Sequence, residues 1–351
     1  MTTTRDLTTP ALLLDHGALQ HNLRAMADRY PGPRLRPHVK AHKSTSIGKA
    51  QAAIGHHNFT CATVREMEGM AHAGLGDDLL LANEVADARR LGALVERGAR
   101  ITLAVDSEAT ISVAVAGGVR EVLIDVNVGL PRCGCAPDDA GRLADLARSL
   151  GLVVRGVMGY EGHLMMSPAE EKHAKVDEAM SLLLSAHALV GGGLVSAGGT
   201  GTHLVNQWAG EIQAGSYALL DSQYATLDQG FRQALWVEAS VISVNRSGGF
   251  AVADAGLKAF GMDHGNPQIP HADVWFCSDE HITFRPHADG PLAGIAVGDR
   301  LRIVPAHCDP TVAYHDAYYL IDDASPDAVA SGAVASGSDV IDQWPVDLRG
   351  W

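Results

Sequence analysis

Positive charge is what this sequence has least of: its 27 Lys and Arg are outnumbered by 41 Asp and Glu, leaving a formal charge of -14 over 351 residues. Such a field repels phosphate, so nucleic acid and anionic membrane surfaces are not expected as partners, and any anionic ligand must be held by a local pocket. Cysteine is sparse as well. Cys61, Cys133, Cys135, Cys277 and Cys308 are odd in number and scattered, unlike a disulfide-stapled secreted scaffold, and a reducing cytoplasm is the expected setting. No apolar run approaches the roughly 20 residues that span a bilayer. The opening MTTTRDLTTPALLLD has no basic region followed by an apolar core, so a soluble, unprocessed chain is expected. Internal repeats and low-complexity tracts are missing too.

What is there suits one large barrel, or a barrel with a smaller second domain: 46% of the residues are hydrophobic. Short apolar runs alternate with helix-like segments through the first two thirds, the pattern of a parallel sheet wound with helices. Strands are expected at 34–40, 59–63, 78–83, 101–105, 122–127, 153–160, 194–199 and 212–219, eight in all, the number that closes a (β/α)8 barrel. Amphipathic segments at 64–75, 86–98, 139–151 and 167–191 lie between them, and Leu19, Leu23, Met26 and Tyr30 step at helical spacing before the first strand. After about residue 233 apolar and polar residues alternate between turn signals, which predicts a mostly antiparallel β domain.

In such a barrel the chemistry gathers at the C-terminal ends of the strands. Lys40, Asn83, Arg132, Tyr160 and the GGTGT run 198–202 all fall there by this count. A lysine facing a barrel mouth loses hydration, its pKa falls, and its amine becomes able to form a Schiff base; the alternative is a solvated surface lysine. The glycine-rich run sits where barrels bind phosphate, and its alternative is a tight turn. In LRPHVKAHKS, 35–44, strand alternation puts His38 on the face of Lys40, while Lys43 faces solvent or a phosphate and His42 is a site helper or a loop residue. In PAHCDPT, 305–311, a strand would point His307 and Asp309 to one face and Cys308 away. Imidazole plus carboxylate makes a half-site for a divalent cation, and the alternative is a hydrogen-bonded histidine beside a turn-forming Asp-Pro. His281 and His315 are weaker candidates, and the CGC of 133–135, without a second pair at metal spacing, is expected to be structural.

Taken in order, TPALLLD, RPHVKAHKS, DVNVGLPRCG, GYEGH, SAGGTGTH, EIQAGSYALLD, ADAGLKAFGMDHG and PAHCDPT span nearly the whole chain. They resemble the D-threonine aldolase and D-serine dehydratase group, within the alanine-racemase-like fold of pyridoxal-phosphate enzymes. The resemblance implies a pyridoxal-phosphate-binding barrel over 16–233, with 1–15 and 234–351 forming a β domain that carries metal ligands. It implies that Lys40 bears pyridoxal 5'-phosphate, that Thr200, Gly201, Thr202, Gly215, Ser216 and Tyr217 hold its phosphate, and that Arg132 and Tyr160 lie along its ring. His307 and Asp309 would bind a divalent metal, and two subunits would build each site of a homodimer. The implied substrate is a small D-3-hydroxy amino acid, cleaved to glycine and an aldehyde. The alternative is a dehydratase of D-serine or 3-hydroxy-D-aspartate; an amino-acid racemase, which would draw on Tyr314, Tyr318 or Tyr319, and a non-catalytic cofactor carrier stand further off. Dehydratases resemble His-x-Cys at the metal, whereas this chain has His-x-Asp, an oxygen ligand suited to Mn2+ or Mg2+ with Zn2+ as the alternative. Aldolases of the group carry a histidine where Met166 stands here, which leaves His163 or a metal-bound hydroxide as the expected base.

Overall fold

A computed structural model describes residues 2–322 and 337–351. The chain divides into two compact units, both discontinuous. One comprises Met26–Lys40, Thr45–Gly215 and Leu348–Trp351, the other Met1–Ala25, Ala41–Ser44 and Ser216–Asp347.

The first unit is built on seven parallel strands: Asn58–Cys61, Asp78–Leu81, Ile101–Val105, Glu121–Asp125, Val153–Met158, Leu194–Ala197 and Glu211–Ile212. Segment 35–38 joins both edges. Leu35 bridges Ile212 and His38 bridges Thr60, both in parallel. The Arg36 and His38 N–H groups donate to Ile212 and Ala214, and the Thr60 N–H donates to Pro37, each at 2.9 Å. Eight extended segments therefore close a ring, as the count of apolar runs predicts. Inside it Leu80, Ala104, Leu123 and Met158 pack together.

Seven of the eight expected strands end sooner than their apolar runs suggest, and in the first and the last the shortfall changes the local structure. The first ends at His38 and passes into a 3-10 turn, Val39–Ala41, so Lys40 stands just beyond the strand rather than at its end. The last is only Glu211–Ile212, and Ser216–Ala218 is a second 3-10 turn. At both places the chain passes into a tighter local turn.

The strand starts carry charge that hydropathy does not reveal. Arg36, 1% exposed, donates from Nε to Glu211 Oε1 at 2.7 Å and from Nη1 to Asp78 Oδ1 at 3.1 Å. Arg155 grips Asp78 with two bonds of 2.8 Å and reaches Thr102 Oγ1 at 2.6 Å. Ser196 Oγ donates to Glu211 Oε1 at 2.7 Å. This ion cluster occupies the N-terminal ends of the strands and leaves the C-terminal ends to loops.

The second unit centres on the long strand Leu235–Asn245. It pairs antiparallel with Ala11–Asp15, Phe250–Ala253 and Arg300–Ile303. Ala11–Asp15 also lies parallel to Ala317–Ile321, which pairs with Val340–Pro345. Leu13, Trp236 and Ile321 pack into its core. The PAHCDPT stretch is not a strand. Cys308–Ala313 is a short helix with His307 at its N-cap, because Asp309 and Pro310 suit a first helical turn, where no intrahelical N–H is needed and negative charge is favoured.

Burial alone would raise the Asp78 carboxyl, but hydrogen bonds from Arg155 and the charge of Arg36 outweigh it and hold it well below its ordinary 3.8. The folded state then binds fewer protons than the unfolded one, so this stabilisation is complete above the ordinary carboxylate range and drains away as pH falls below it. Asp78→Asn should lower the unfolding free energy at neutral pH by about 3 kcal/mol and flatten its fall on acidification. Urea melts across the acid range read both effects.

Candidate active site

In the first unit the C-terminal ends of the strands carry most of the residues singled out by sequence. Lys40 is half-buried, and its backbone N–H points to His38 Nδ1 at 3.4 Å. Tyr160 is half-buried just past Val153–Met158, and the guanidinium of exposed Arg132 lies 5.4 Å over its ring. The loop bearing Arg132 is tied down by Asn127, whose Nδ2 donates to the Leu130 carbonyl at 2.9 Å and whose Oδ1 accepts from Gly129 N–H at 2.9 Å. His163 is exposed on the 3-10 turn Gly162–Leu164, and a side chain on Gly129 would stand 3.0 Å from its Nε2. Met166 is exposed.

The GGTGT loop is held from two sides by residues that sequence reading passed over. Glu161 is fully buried; its carboxylate accepts from Gly198 N–H at 3.1 Å, Thr202 Oγ1 at 2.9 Å and Asn206 Nδ2 at 2.9 Å. The Thr202 hydroxyl in turn accepts from Gly199 N–H at 3.2 Å. Thr202 therefore builds the loop with its side chain. Lys172, 7% exposed, donates to the carbonyls of Met165 at 2.8 Å and Gly201 at 3.0 Å. A side chain on Gly201 would overlap the Met165 carbonyl, so only glycine allows this close backbone approach. Thr200 and Gly215 are buried. At the same barrel end burial, and then the neighbouring Glu84, push the Asp125 carboxyl well upward. Burial likewise lifts the thiols of Cys133 to about 11 and Cys135 to about 12, so both are protonated at neutral pH.

In the second unit His307 Nε2 lies 3.9 Å from Asp309 Oδ1, a gap that one cation about 2.1 Å from each atom can span. The pair thus comes together, although through a helix start and not through strand alternation. Cys308 is fully buried, and its thiol is raised well above its ordinary range by burial, then by Asp309 and Asp221. Ser216 is buried with Oγ 3.4 Å from Asp309 Oδ1, and Tyr217 is fully buried. On the other side of His307, Nδ1 lies 2.7 Å from Asp263 Oδ2, and the His264 ring stacks on the His307 ring at 3.9 Å. Tyr318 is fully buried with its hydroxyl proton given to the His42 carbonyl at 2.7 Å, and burial pushes that phenol upward. His42 is itself buried, and its Nδ1 accepts the Ser44 N–H at 3.2 Å.

Residues 14–222 match the family of the alanine racemase N-terminal domain. This chain belongs to that family. Residues 234–321 match a putative serine dehydratase domain, so the alanine-racemase-like barrel is followed by the β domain of the dehydratase and aldolase branch, as the sequence motifs suggest. The 3-hydroxy-D-aspartate aldolase of Paracoccus denitrificans (strain Pd 1222) is 34% identical over 98% of this chain and 93% of its own length. The D-threo-3-hydroxyaspartate dehydratase of Delftia sp. (strain HT23) is 31% identical over 90% of this chain and 94% of its own. The crystal structure of D-threonine aldolase from Filomicrobium marinum superposes with a TM-score of 0.88 at 32% identity, covering 99% of this chain and 97% of that one. The alanine-racemase-like fold and the aldolase–dehydratase kinship are thereby both established, and the family is one of pyridoxal-phosphate enzymes.

Three of the missed residues lay inside the motifs, Glu161 in GYEGH and Asp263 and His264 in ADAGLKAFGMDHG, whereas Lys172 lies outside all of them. Only their partners, far away in sequence, reveal their work. Glu161→Gln sets an amide N–H2 among three donors and should cost about 2 kcal/mol or more of stability, against nearly nothing for exposed Glu170→Gln; urea denaturation of the two variants checks this.

Proposed function

We propose that this protein is a pyridoxal-phosphate- and divalent-metal-dependent aldolase that cleaves D-3-hydroxy amino acids to glycine and an aldehyde. The observation that carries this is the His307–Asp309 pair, whose second ligand is oxygen while the adjacent Cys308 is buried and protonated. Hard oxygen donors favour Mn2+ or Mg2+, with Zn2+ as the alternative. The first unit fits the cofactor: Lys40 follows the strand that closes the ring, and the glycine loop is held by Glu161 and Lys172.

Pyridoxal phosphate supplies an electron sink for the pair left when the Cα–Cβ bond breaks, and a divalent cation supplies Lewis acidity toward the β-hydroxyl. The chain's own residues do the rest. Lys40 would hold the cofactor through its side-chain amine. Thr200, Gly201, Gly215, Ser216 and Tyr217 form the phosphate cup, with Thr202 shaping it through its bonds to Glu161 and Gly199. Tyr160 and Arg132, whose guanidinium lies over the Tyr160 ring, would lie along the cofactor ring. His307 and Asp309 orient the β-hydroxyl, and His163 takes its proton, because the Met166 thioether is no base. The protein works as a cytoplasmic homodimer.

The dehydratase alternative uses the same residues, with Lys40 removing the α-proton instead. A racemase needs a second acid or base from the β domain, and Tyr318 is poorly suited, since its proton is committed to the His42 carbonyl in a sealed environment.

Incubating the cofactor- and Mn2+-loaded protein with D-threonine and with 3-hydroxy-D-aspartate should release glycine together with acetaldehyde or glyoxylate. Keto acid plus ammonia would assign the dehydratase, and no turnover of any D-3-hydroxy amino acid would sink the proposal. Lys40→Ala should abolish both activity and the visible absorbance of bound cofactor. His307→Ala should keep that absorbance and lose at least 100-fold in kcat/KM.

A further inference from the structure

We infer that Asp263 is a positioning residue for the metal half-site: it holds the Nδ1 proton of His307 so that Nε2 is the nitrogen turned toward Asp309. The inference deepens the metal assignment above and rests on it.

Three observations place Asp263. The first is the 2.7 Å separation between His307 Nδ1 and Asp263 Oδ2, a hydrogen-bond length. With the carboxylate able only to accept, the proton must sit on Nδ1, and the Nε2 lone pair is left outward, 3.9 Å from Asp309 Oδ1. Second, the segment bearing Asp263 is pinned to the helix that His307 caps. Gly261 N–H donates to Thr311 Oγ1 at 2.9 Å, and the same hydroxyl donates to the His307 carbonyl at 2.7 Å. A side chain on Gly261 would overlap the Pro310 ring, so glycine lets this backbone lie directly on the first helical turn. Third, the His264 ring lies parallel to the His307 ring at 3.9 Å and 10°, which restrains the imidazole from turning about its Cβ–Cγ bond.

Asp263, His264 and His307 could also be taken together as a cation site, since one ligand atom from each lies within 4.8 Å of the others. The geometry disfavours it. The 2.7 Å between His307 Nδ1 and Asp263 Oδ2 is the length of a direct hydrogen bond, with a proton and not a cation between the two atoms. Stacked imidazoles, moreover, direct their lone pairs side by side and not toward a common point. A carboxylate that takes one histidine N–H so that the other nitrogen can ligate is the usual supporting arrangement at metal sites, and losing it lowers metal affinity about 10–100-fold.

The test compares Asp263→Ala and Asp263→Asn in the full-length, cofactor-loaded protein, using calorimetric titration with Mn2+ and nitrogen-15 spectra of the histidines before metal is added. Asp263 is 54% exposed on its side chain, so both variants should fold. Asp263→Ala should weaken Mn2+ binding about 10–100-fold and turn His307 from one tautomer into a mixture. Asp263→Asn, whose amide oxygen still accepts from Nδ1, should preserve the tautomer and most of the affinity. An alanine variant with wild-type affinity and an unchanged tautomer overturns the inference. So does an asparagine variant that loses as much affinity as alanine while keeping the tautomer, because Asp263 would then be a direct ligand. If the wild type binds no Mn2+, the metal assignment fails and the positioning role falls with it, whereas the tautomer spectra still report whether Asp263 orients the ring.

Discussion

The closure of the parallel ring by segment 35–38 is the constraint from which the rest of the first unit follows. Seven strands leave two open edges, and every unpaired N–H and C=O on them would have to find another partner. The segment satisfies both edges with four residues, and Arg36, in its middle, clamps Glu211 on one side and Asp78 on the other. Buried charge of this kind is stabilising only while every member is paired, so the ring and its ion cluster stand or fall together. Lys40 inherits its place from this closure. Two residues past the last bridge, the chain has turned out of the strand, and Lys40 follows the strand's C-terminal end.

The glycine-rich loop at 198–202 is held in a similar way. A carboxylate gathers the loop's donors from one side, an ammonium gathers its carbonyls from another, and glycine permits the backbone contact with Met165 that neither could enforce alone. The loop's backbone is thus held by side chains of the chain itself. The His307 side of the second unit repeats this logic. There Thr311, Pro310 and Gly261 fix the backbone that carries Asp263 against the helix that His307 caps.

Much of this was legible in order along the chain. Apolar runs located the strands, since parallel barrel strands are buried on both faces and show as continuous hydrophobic segments. The motifs around Lys40, Tyr160 and Gly201 located the C-terminal end of the barrel, and PAHCDPT located two residues that the fold brings together, His307 and Asp309. The strand ends were less legible. Whether Lys40 lies in a strand or in the turn after it depends on where a neighbouring strand stops offering partners, which hydropathy does not record. The conformation of PAHCDPT was mistaken because alternation and a helical N-terminus both bring His307 and Asp309 together, and only the Asp-Pro pair distinguished them.

The sequence by itself determined the architecture, the family and the chemical types available at each barrel loop, because these depend on periodicity and on residues adjacent in the chain. Tertiary structure alone decided which polar residues support others. Glu161 meets Asn206 across 45 positions, Lys172 meets Gly201 across 29, and Asp263 meets His307 across 44. A buried hydrogen bond is set by the folded path of the backbone and leaves no local periodicity, so a supporting carboxylate and a solvated one look alike until the chain is folded.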